Sequence, residues 1–215
     1  FYDVGNATRT LITADFDSDL RPDLGYLGAN SRGILYNNLG TTRRRSSIDF
    51  DGDGKTDIGI YRPNGASGSE WWYQKSSDGG GFATQFGAPT DKVAAADYTG
   101  DGKTDVAFWR RSNGFWFVLR SEDLTFYGFP FGASGDVPVP ADYDADGKAD
   151  VGVFRPTDNT WYIQRSGDGG TTIQQFGVSG DVPVNADYDG DGKADIAIYR
   201  PSLGQWWLLR STAGT

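Results

Sequence analysis

The sequence predicts an all-β protein, and three observations support that fold class. Glycine is abundant, with 31 residues among 215, and aromatic residues make up 14% of the chain. No long window is dominated by leucine, alanine, glutamate and lysine, so long amphipathic helices are not expected. An acidic nonapeptide recurs along the chain, each time beside short apolar segments. Many short strands joined by tight turns account for all three observations.

The acidic nonapeptide occurs five times, and its spacing defines a structural repeat. The copies are DFDSDLRPD (15–23), DFDGDGKTD (49–57), DYTGDGKTD (97–105), DYDADGKAD (142–150) and DYDGDGKAD (187–195). Their first residues are separated by 34, 48, 45 and 45 residues. A regular period of this length is typical of a repeat protein in which each unit is one small supersecondary structure.

Each repeat is predicted to contain four short strands. A first strand leads into the acidic loop, and an apolar second strand (IGIYRP, VAFWRR, VGVFRP or IAIYRP) follows it. Continuous apolarity predicts burial on both faces, and the small residue within each run (Gly59, Ala107, Gly152, Ala197) predicts close approach of a neighbouring backbone. A third strand begins at a tryptophan, and a fourth ends in FG at Gly87, Gly132 and Gly177. Four strands per unit is the pattern of β-propeller blades.

We therefore expect one β-propeller domain over residues 1–215, with five four-stranded blades. Their approximate bounds are 6–40, 46–88, 92–133, 137–178 and 182–215, the last completed by residues 1–5. Gly5 lies ten residues before Asp15, just as Gly177 lies ten before Asp187. Phe1–Gly5 is thus expected to supply the fourth strand of the last blade and to close the ring. The separation of 34 residues between the first and second acidic loops is shorter than the others, and this stretch contains Arg43–Arg45. Either the first blade has three strands, or two separate pieces of chain meet there.

The acidic loops are predicted to bind calcium, up to five ions in all. The pattern D-x-D-x-D-G-x-x-D places side-chain oxygens at positions 1, 3, 5 and 9, with a backbone carbonyl at position 7 and glycine at position 6 for the turn. Without a cation these carboxylates repel one another, and 19 of the 29 acidic residues lie in the five loops. The predicted ligands are Asp15, Asp17, Asp19, Arg21, Asp23, Asp49, Asp51, Asp53, Lys55, Asp57, Asp97, Thr99, Asp101, Lys103, Asp105, Asp142, Asp144, Asp146, Lys148, Asp150, Asp187, Asp189, Asp191, Lys193 and Asp195.

Three alternatives to these calcium sites exist: an EF-hand, a magnesium site and polar turns without metal. An EF-hand needs a glutamate at position 12 between helices, whereas position 12 here is an apolar strand residue such as Ile60 or Ile198. Magnesium tolerates crowded protein cages poorly, so calcium is preferred. A set of polar Asp/Gly turns without metal is the remaining alternative. Thr99 replaces an acid in the third loop and Leu20 replaces glycine in the first, so these two sites are expected to be the weakest.

The stretches DFDGDGKTDIGIYRP, ADYDADGKADVGVFRP and ADYDGDGKADIAIYRP resemble the FG-GAP/VCBS repeats of bacterial extracellular proteins, which are related to the calcium-binding blades of integrin α-subunits. The resemblance is close from about Ile48 to Ser211 and looser over residues 1–40. It implies a β-propeller, calcium held by the matched loop aspartates, and a role in adhesion or carbohydrate binding. Because many members have seven blades, the chain could alternatively be part of a seven-bladed propeller.

The sequence predicts a non-enzymatic binding module at the cell surface or outside the cell. With no cysteine or histidine the usual zinc sites and the commonest general base are absent, and the lack of methionine indicates a processed or excised chain. A net charge of −9 disfavours nucleic acid and anionic membranes as partners. The only glutamates, Glu70 and Glu122, have no visible catalytic partner.

Two functions remain open on the sequence alone. The first is adhesion to a glycan or an extracellular protein, lectin-like if the repeated tryptophans and arginines contact the ligand. The second is a structural or self-assembling domain of a secreted surface protein or filament. The candidate ligand-binding residues are Trp71, Trp116, Trp161, Trp206, Arg62, Arg110, Arg155 and Arg200. Alternatively, the tryptophans pack between blades and the arginines pair with loop carboxylates or with Asp91, Asp136 or Asp181.

Overall fold

The computed structural model of the protein describes residues 8–14, 23–28, 32–35, 48–65 and 68–213. Within them the chain forms five antiparallel sheets. The first contains β1 (Thr8–Ala14), β2 (Asp23–Gly28) and β3 (Arg32–Leu35), and the second contains β4 (Ile58–Gly65), β5 (Gly68–Gln74) and β6 (Gly81–Gln85). The all-β prediction is confirmed.

The third and fourth sheets have the four strands that the repeat predicts. The third contains β7 (Lys92–Val93), β8 (Val106–Arg110), β9 (Phe115–Leu119) and β10 (Phe126–Pro130). The fourth contains β11 (Val137–Pro138), β12 (Val151–Arg155), β13 (Thr160–Gln164) and β14 (Thr171–Gln175). The fifth contains β15 (Val182–Pro183), β16 (Ile196–Arg200) and β17 (Gln205–Leu209), followed by a 3-10 turn at Ser211–Ala213.

Three of the five sheets thus have three strands within the described residues. The expected closing strand Phe1–Gly5 and the basic stretch Arg43–Arg45 both lie outside those residues. Closure of the ring and the nature of the short junction therefore stay predictions. No helix in the described segments is long and apolar enough to cross a membrane.

Successive sheets are held together by apolar clusters. Trp71 of the second sheet packs with Val106 and Phe108 of the third. The next two junctions repeat this arrangement, because Trp116 packs in one cluster with Val153 and Trp161 in another with Ile198. Full burial of one such side chain is worth about 1.5–3 kcal/mol. The repeated tryptophans therefore stabilise the contacts between sheets.

The second strand of each repeat is buried on both faces in the third, fourth and fifth sheets, as its composition predicts. Gly152 shows why a small residue is needed there, since a Cβ at this position would lie 2.7 Å from the carbonyl oxygen of Val139. The second sheet differs. Ile58 and Ile60 are 68% and 51% exposed, while their counterparts Val106 and Phe108 are buried. This sheet therefore presents an uncovered apolar face within the described structure.

Candidate metal centres

The four described acidic loops share one backbone conformation. Position 6 is glycine with a positive φ in every case, at Gly54, Gly102, Gly147 and Gly192. This confirms the predicted sharp turn. The turn requires a residue in the left-handed conformation, which is strained for residues other than glycine. Position 4 is left-handed as well, a feature that the sequence pattern did not reveal. In the fourth loop it is occupied by Ala145, with φ of 65°.

The first aspartate of each loop fixes that conformation. In the second loop Asp49 Oδ1 accepts a hydrogen bond from Gly52 N at 2.6 Å, and its Oδ2 accepts one from Gly54 N at 2.8 Å. Asp97, Asp142 and Asp187 accept the corresponding pairs of bonds. A carboxylate has about four lone-pair sites, so roughly two per aspartate stay available to a cation.

The ninth residue ties each loop to the hairpin beside it. Asp150 accepts hydrogen bonds from Tyr143 N at 2.8 Å and from Ser166 N at 2.6 Å, and its residue exposure is 0%. Asp57, Asp105 and Asp195 make the same pair of contacts with their own loops and serines. The position-9 carboxylate therefore joins the loop to the end of the tryptophan strand.

The aspartate at position 5 contacts the same hairpin through the serine hydroxyl. Ser166 Oγ donates to Asp146 Oδ2 at 2.7 Å, and Ser76, Ser121 and Ser211 donate to their own position-5 aspartates. These serines form a set of functional residues that the sequence reasoning missed. Their signal was visible, because every described tryptophan strand is followed by lysine or arginine and then serine.

Carboxylate oxygens converge closely in three of the loops. One oxygen from each member of the set lies within 4.8 Å of the others. Oxygens bound to one calcium at about 2.3–2.6 Å are at most about 5 Å apart, so this spacing fits a shared ion. The three sets are Asp49, Asp51 and Asp53; Asp142, Asp144 and Asp146; and Asp187, Asp189 and Asp195.

The electrostatics of the loops also favour a cation. Burial raises the pKa of Asp150, and the nearby charge of Asp144 raises it further, against hydrogen bonds that lower it. Burial likewise raises the pKa of Asp142, where Asp150 and Asp146 add like-charge repulsion. A raised carboxyl pKa means that the ionised form is disfavoured in the folded protein. A bound divalent ion would offset this cost.

Two buried oxygens at position 3 of these loops have no hydrogen-bond partner in the described part of the chain. They are the hydroxyl of Thr99 in the third loop and Oδ1 of Asp189 in the fifth. Buried polar atoms are nearly always hydrogen-bonded, so an orphan requires an explanation. Position 3 is a predicted metal ligand in both loops, and oxygen is the donor that calcium prefers. The side chains present therefore fit a calcium ion.

Neighbouring loops are linked by a backbone hydrogen bond that the sequence analysis did not predict. The position-8 N–H of one loop donates to the position-1 carbonyl of the preceding loop, as in Thr104 N to Asp49 O at 2.6 Å. Ala149 N donates to Asp97 O and Ala194 N donates to Asp142 O, each at 2.6 Å. The loops thus form a continuous chain along one edge of the stacked sheets, and ordering of one loop supports the next.

The structure describes some of the predicted metal ligands and leaves others outside the described residues. Residues Asp15, Asp17, Asp19 and Arg21 lie outside the described residues, and Asp23 is described only as the start of β2. In the third loop Asp97, Asp101 and Asp105 do not converge within the distance found in the other three described loops. Coordination by the carbonyls of Lys55, Lys103, Lys148 and Lys193 stays a prediction.

The repeated arginines mostly form ion pairs inside the fold. Arg155 Nε and Nη2 donate to the two carboxylate oxygens of Asp136, both at 2.9 Å, and the Asp136 side chain is 1% exposed. Arg110 with Asp91 and Arg200 with Asp181 repeat this bidentate geometry. Three of the four arginines thus have the pairing role that the sequence left as an alternative. Arg62 instead lies 3.9 Å from Glu70 and its side chain is 58% exposed.

Three of the four tryptophans lie in the core. Trp71, Trp116 and Trp161 are at most 5% exposed. Each donates its indole N–H to the carbonyl of the phenylalanine in the FG segment of its own sheet, at 2.8, 2.9 and 3.1 Å. These indoles therefore have a packing role rather than a face open to ligands. Trp206 is less buried, and its Nε1 has no hydrogen-bond partner among the residues that the structure describes.

The repeated antiparallel sheets, four of them with a described Asp-rich loop directly before the apolar strand, define a repeat protein of the β-propeller type. The chain belongs to the FG-GAP-like repeat family, whose pattern matches residues 49–108, 97–153 and 142–198. Each match begins at the first aspartate of one loop and ends in the second strand of the following repeat. The predicted resemblance is confirmed.

Comparison with solved structures finds a likeness to TolB from Acinetobacter baumannii. The two chains are 16% identical and superpose with a TM-score of 0.46 over 95% of this chain. The matched part is 52% of the TolB chain, so this chain spans about half of that protein's length. No curated protein sequence matches significantly.

Proposed function

We propose that this chain is a calcium-stabilised, non-enzymatic binding module of an extracellular or cell-surface protein, with a glycan or an extracellular protein as its partner. Calcium binding is supported above all by two buried oxygens at position 3, Thr99 Oγ1 and Asp189 Oδ1, which have no hydrogen-bond partner among the described residues. In the fifth loop the convergent carboxylates of Asp187, Asp189 and Asp195 supply more of a coordination shell, and two other described loops have convergent sets of their own. Modest affinity is enough for such loops outside the cell, where modules of this kind bind calcium at about 10⁻⁴–10⁻³ M.

We infer that this fold binds a partner and does not catalyse a reaction. The convergent carboxylates of the described loops are used by backbone N–H groups, serine hydroxyls and the proposed ion. Glu70 is half-buried, accepts a hydrogen bond from Trp72 Nε1 at 3.1 Å and lies 3.9 Å from the exposed Arg62, so its carboxylate already has two partners. A structural or assembly role is the second candidate, favoured by the exposed apolar face at Ile58, Ile60 and Trp72.

A glycan array, run with the protein in millimolar calcium, separates these two functions. The binding module is expected to label a subset of glycans and to remain monomeric by light scattering. A matched run in chelator is expected to lose that labelling, because the loops that order the sheets lose their ions. Oligomerisation in calcium with no labelled glycan and no protein partner would favour the assembly role instead.

We also propose that the five sheets close into a ring, with Phe1–Gly5 as the fourth strand of the fifth sheet. Among the described residues β17 is paired along one edge and Trp206 Nε1 has no hydrogen-bond partner. Both features support closure, because the three equivalent indoles donate to the phenylalanine carbonyl that follows the last strand of their own sheet. The loop-to-loop hydrogen bond cannot be repeated at a fifth-to-first junction, since Pro22 stands at position 8 of the first loop and has no N–H. The added strand and its indole contact would therefore hold that junction.

Replacement of Trp206 by phenylalanine tests the proposed closure. In a closed ring the change removes a buried hydrogen bond and part of a packed ring, so W206F should cost about 2–4 kcal/mol of unfolding free energy. The matched variant W161F loses the same contacts in a complete sheet and should cost a similar amount. Urea unfolding measures both. An open fifth sheet would instead make W206F nearly neutral while W161F stays destabilising.

A further inference from the structure

We propose that Glu122 supplies the third acidic loop with the carboxylate that this loop lacks at position 3, and so acts as a calcium ligand from the neighbouring hairpin. The inference rests on the proposed calcium binding, and it assigns a ligand that lies outside the acidic nonapeptide. Position 3 is an aspartate in the second, fourth and fifth loops, whereas the third loop has Thr99 there. Within the described structure, Asp97, Asp101 and Asp105 of the third loop do not form a convergent set like those of the other loops.

One residue of the neighbouring hairpin contacts position 3 in each of the other described loops. It directly follows the serine that donates to the position-9 aspartate. In the second loop it is Ser77, whose hydroxyl donates to Asp51 Oδ2 at 2.6 Å, and in the fifth it is Thr212, whose hydroxyl donates to Asp189 Oδ2. The same position in the third sheet is Glu122. The repeat therefore places this glutamate beside position 3 of the third loop.

The fourth loop shows where a side chain at this hairpin position points. Its residue there is Gly167, whose N–H donates to Asp144 Oδ2 at 3.1 Å. A Cβ added to Gly167 would lie 2.8 Å from Asp144 Oδ2 and 3.2 Å from Asp146 Oδ2. Both aspartates are predicted metal ligands. A side chain at this position is therefore directed at the ligand oxygens of the loop, and in the third sheet that side chain is a glutamate.

The residues at position 3 and at the hairpin position are matched in size and charge. Where position 3 is an aspartate, the hairpin residue is serine, glycine or threonine, so no second carboxylate faces it. Among the four described loops, the third alone has threonine at position 3, and it alone has an acid on the hairpin. The third loop therefore has the same hydroxyl and carboxylate pair as the fifth, with the two partners exchanged between loop and hairpin.

Both members of the exchanged pair are available to an ion. The Thr99 hydroxyl is buried and has no hydrogen-bond partner among the described residues, although buried polar atoms nearly always have one. Glu122 is exposed and makes no hydrogen bond or ion pair with those residues. With an ion in the loop, the Glu122 carboxylate would turn inward and also accept the Thr99 hydroxyl. Ordering this exposed side chain costs conformational entropy, so the third site stays weaker than its neighbours.

The test is a calcium titration of the full chain, followed by the backbone amide NMR signals of the position-6 glycines, which report on each loop separately. Gly102 reports on the third loop, and the others are followed at Gly54, Gly147 and Gly192. E122Q is expected to weaken calcium binding at the third loop by about tenfold, because the affinity of a calcium site depends on the number of its charged ligands. Binding at the other three loops should be unchanged.

The matched control is D123N, which removes the same charge one residue further along the exposed turn. It should leave the calcium affinity of the third loop within about twofold of the wild type, because an isolated exposed charge contributes little. E122Q should melt at the wild-type temperature in chelator, because Glu122 is exposed and has no partner to lose among the described residues. A loss of affinity with unchanged melting then reports on the metal site and not on folding.

The changes T99D and E122S together give the third loop the aspartate and serine pair of the second. E122S alone should weaken the third loop as E122Q does, and addition of T99D should restore its affinity. The gain from T99D should be larger in E122S than in the wild type, because the two carboxylates serve the same ion.

Three results would overturn the inference. The first is an E122Q variant whose third loop binds calcium as tightly as the wild type, and the second is an equal loss in D123N. The third is a third loop that stays empty at millimolar calcium while the other loops fill, which would keep the proposed calcium-stabilised module. A chain in which no loop binds calcium would end both the inference and that proposal.

Discussion

Removal of calcium with a chelator is expected to lower the melting temperature of this protein by tens of degrees. A ligand that binds only the folded state at a concentration about a hundredfold above its Kd adds about 2.7 kcal/mol per site. Three occupied loops then add about 8 kcal/mol, which corresponds to roughly 16–32 °C for a domain of this size. Burial raises the pKa of Asp142 and of Asp150, so without an ion the ionisation of these two carboxylates at neutral pH opposes folding.

The measurement is a pair of thermal melts, one in excess calcium and one in chelator, followed by circular dichroism. Magnesium at the same concentration is the control, and it should restore little of the stability because it tolerates crowded protein cages poorly. Recovery of the higher melting temperature when calcium is added back would show that the effect is reversible. Identical melts in calcium and chelator would contradict a stabilising role for calcium.

Replacement of Asp150 by asparagine is expected to be strongly destabilising in calcium, by about 3–5 kcal/mol. The buried carboxylate accepts two backbone hydrogen bonds and is a predicted ligand. Asparagine removes the charge. Its NH₂ group would also face one of the two backbone N–H groups, so two donors would meet and that hydrogen bond would be lost. In chelator the penalty should shrink, because the same change relieves repulsion from Asp144, the largest like-charge effect on Asp150.

Urea unfolding of D150N in calcium and in chelator measures that difference. D78N is the matched control, since Asp78 is an exposed turn residue that accepts one bond from Gly80 N at 2.7 Å. It should stay within about 0.5 kcal/mol of the wild type in both conditions. An equal penalty for D150N with and without calcium would mean that Asp150 acts through its hydrogen bonds alone.

Much of the fold was predictable because the repeat constrains several levels of structure together. The acidic loop, the apolar second strand and the tryptophan strand recur in register, so one assignment applies to every unit. The buried second strands of the third to fifth sheets and the close approach at Gly152 followed from composition. The family relation confirms that repeat over residues 49–198.

The contacts that depend on two units together were not predictable from a single unit. The bond from Thr104 N to Asp49 O joins residues 55 positions apart and involves only backbone atoms. In the sequence Arg120 and Arg165 look equivalent, but Arg165 donates to both oxygens of Asp168, whereas the third-sheet counterpart Asp123 accepts from Thr125 instead. Differences of this kind between repeats appear only in the contacts of the folded chain.

The most direct test of the calcium loops is the number of ions bound, measured by native mass spectrometry with calorimetric titration. The loops beginning at Asp49, Asp142 and Asp187 predict at least three calcium ions per chain, and D144N, which changes a member of the fourth loop's convergent set, should remove one of them. The third loop, with Thr99 at position 3, should fill last because it has one carboxylate fewer. A chain that binds no calcium at millimolar concentration, or a D144N variant with an unchanged count, would contradict the assignment of these loops as metal centres.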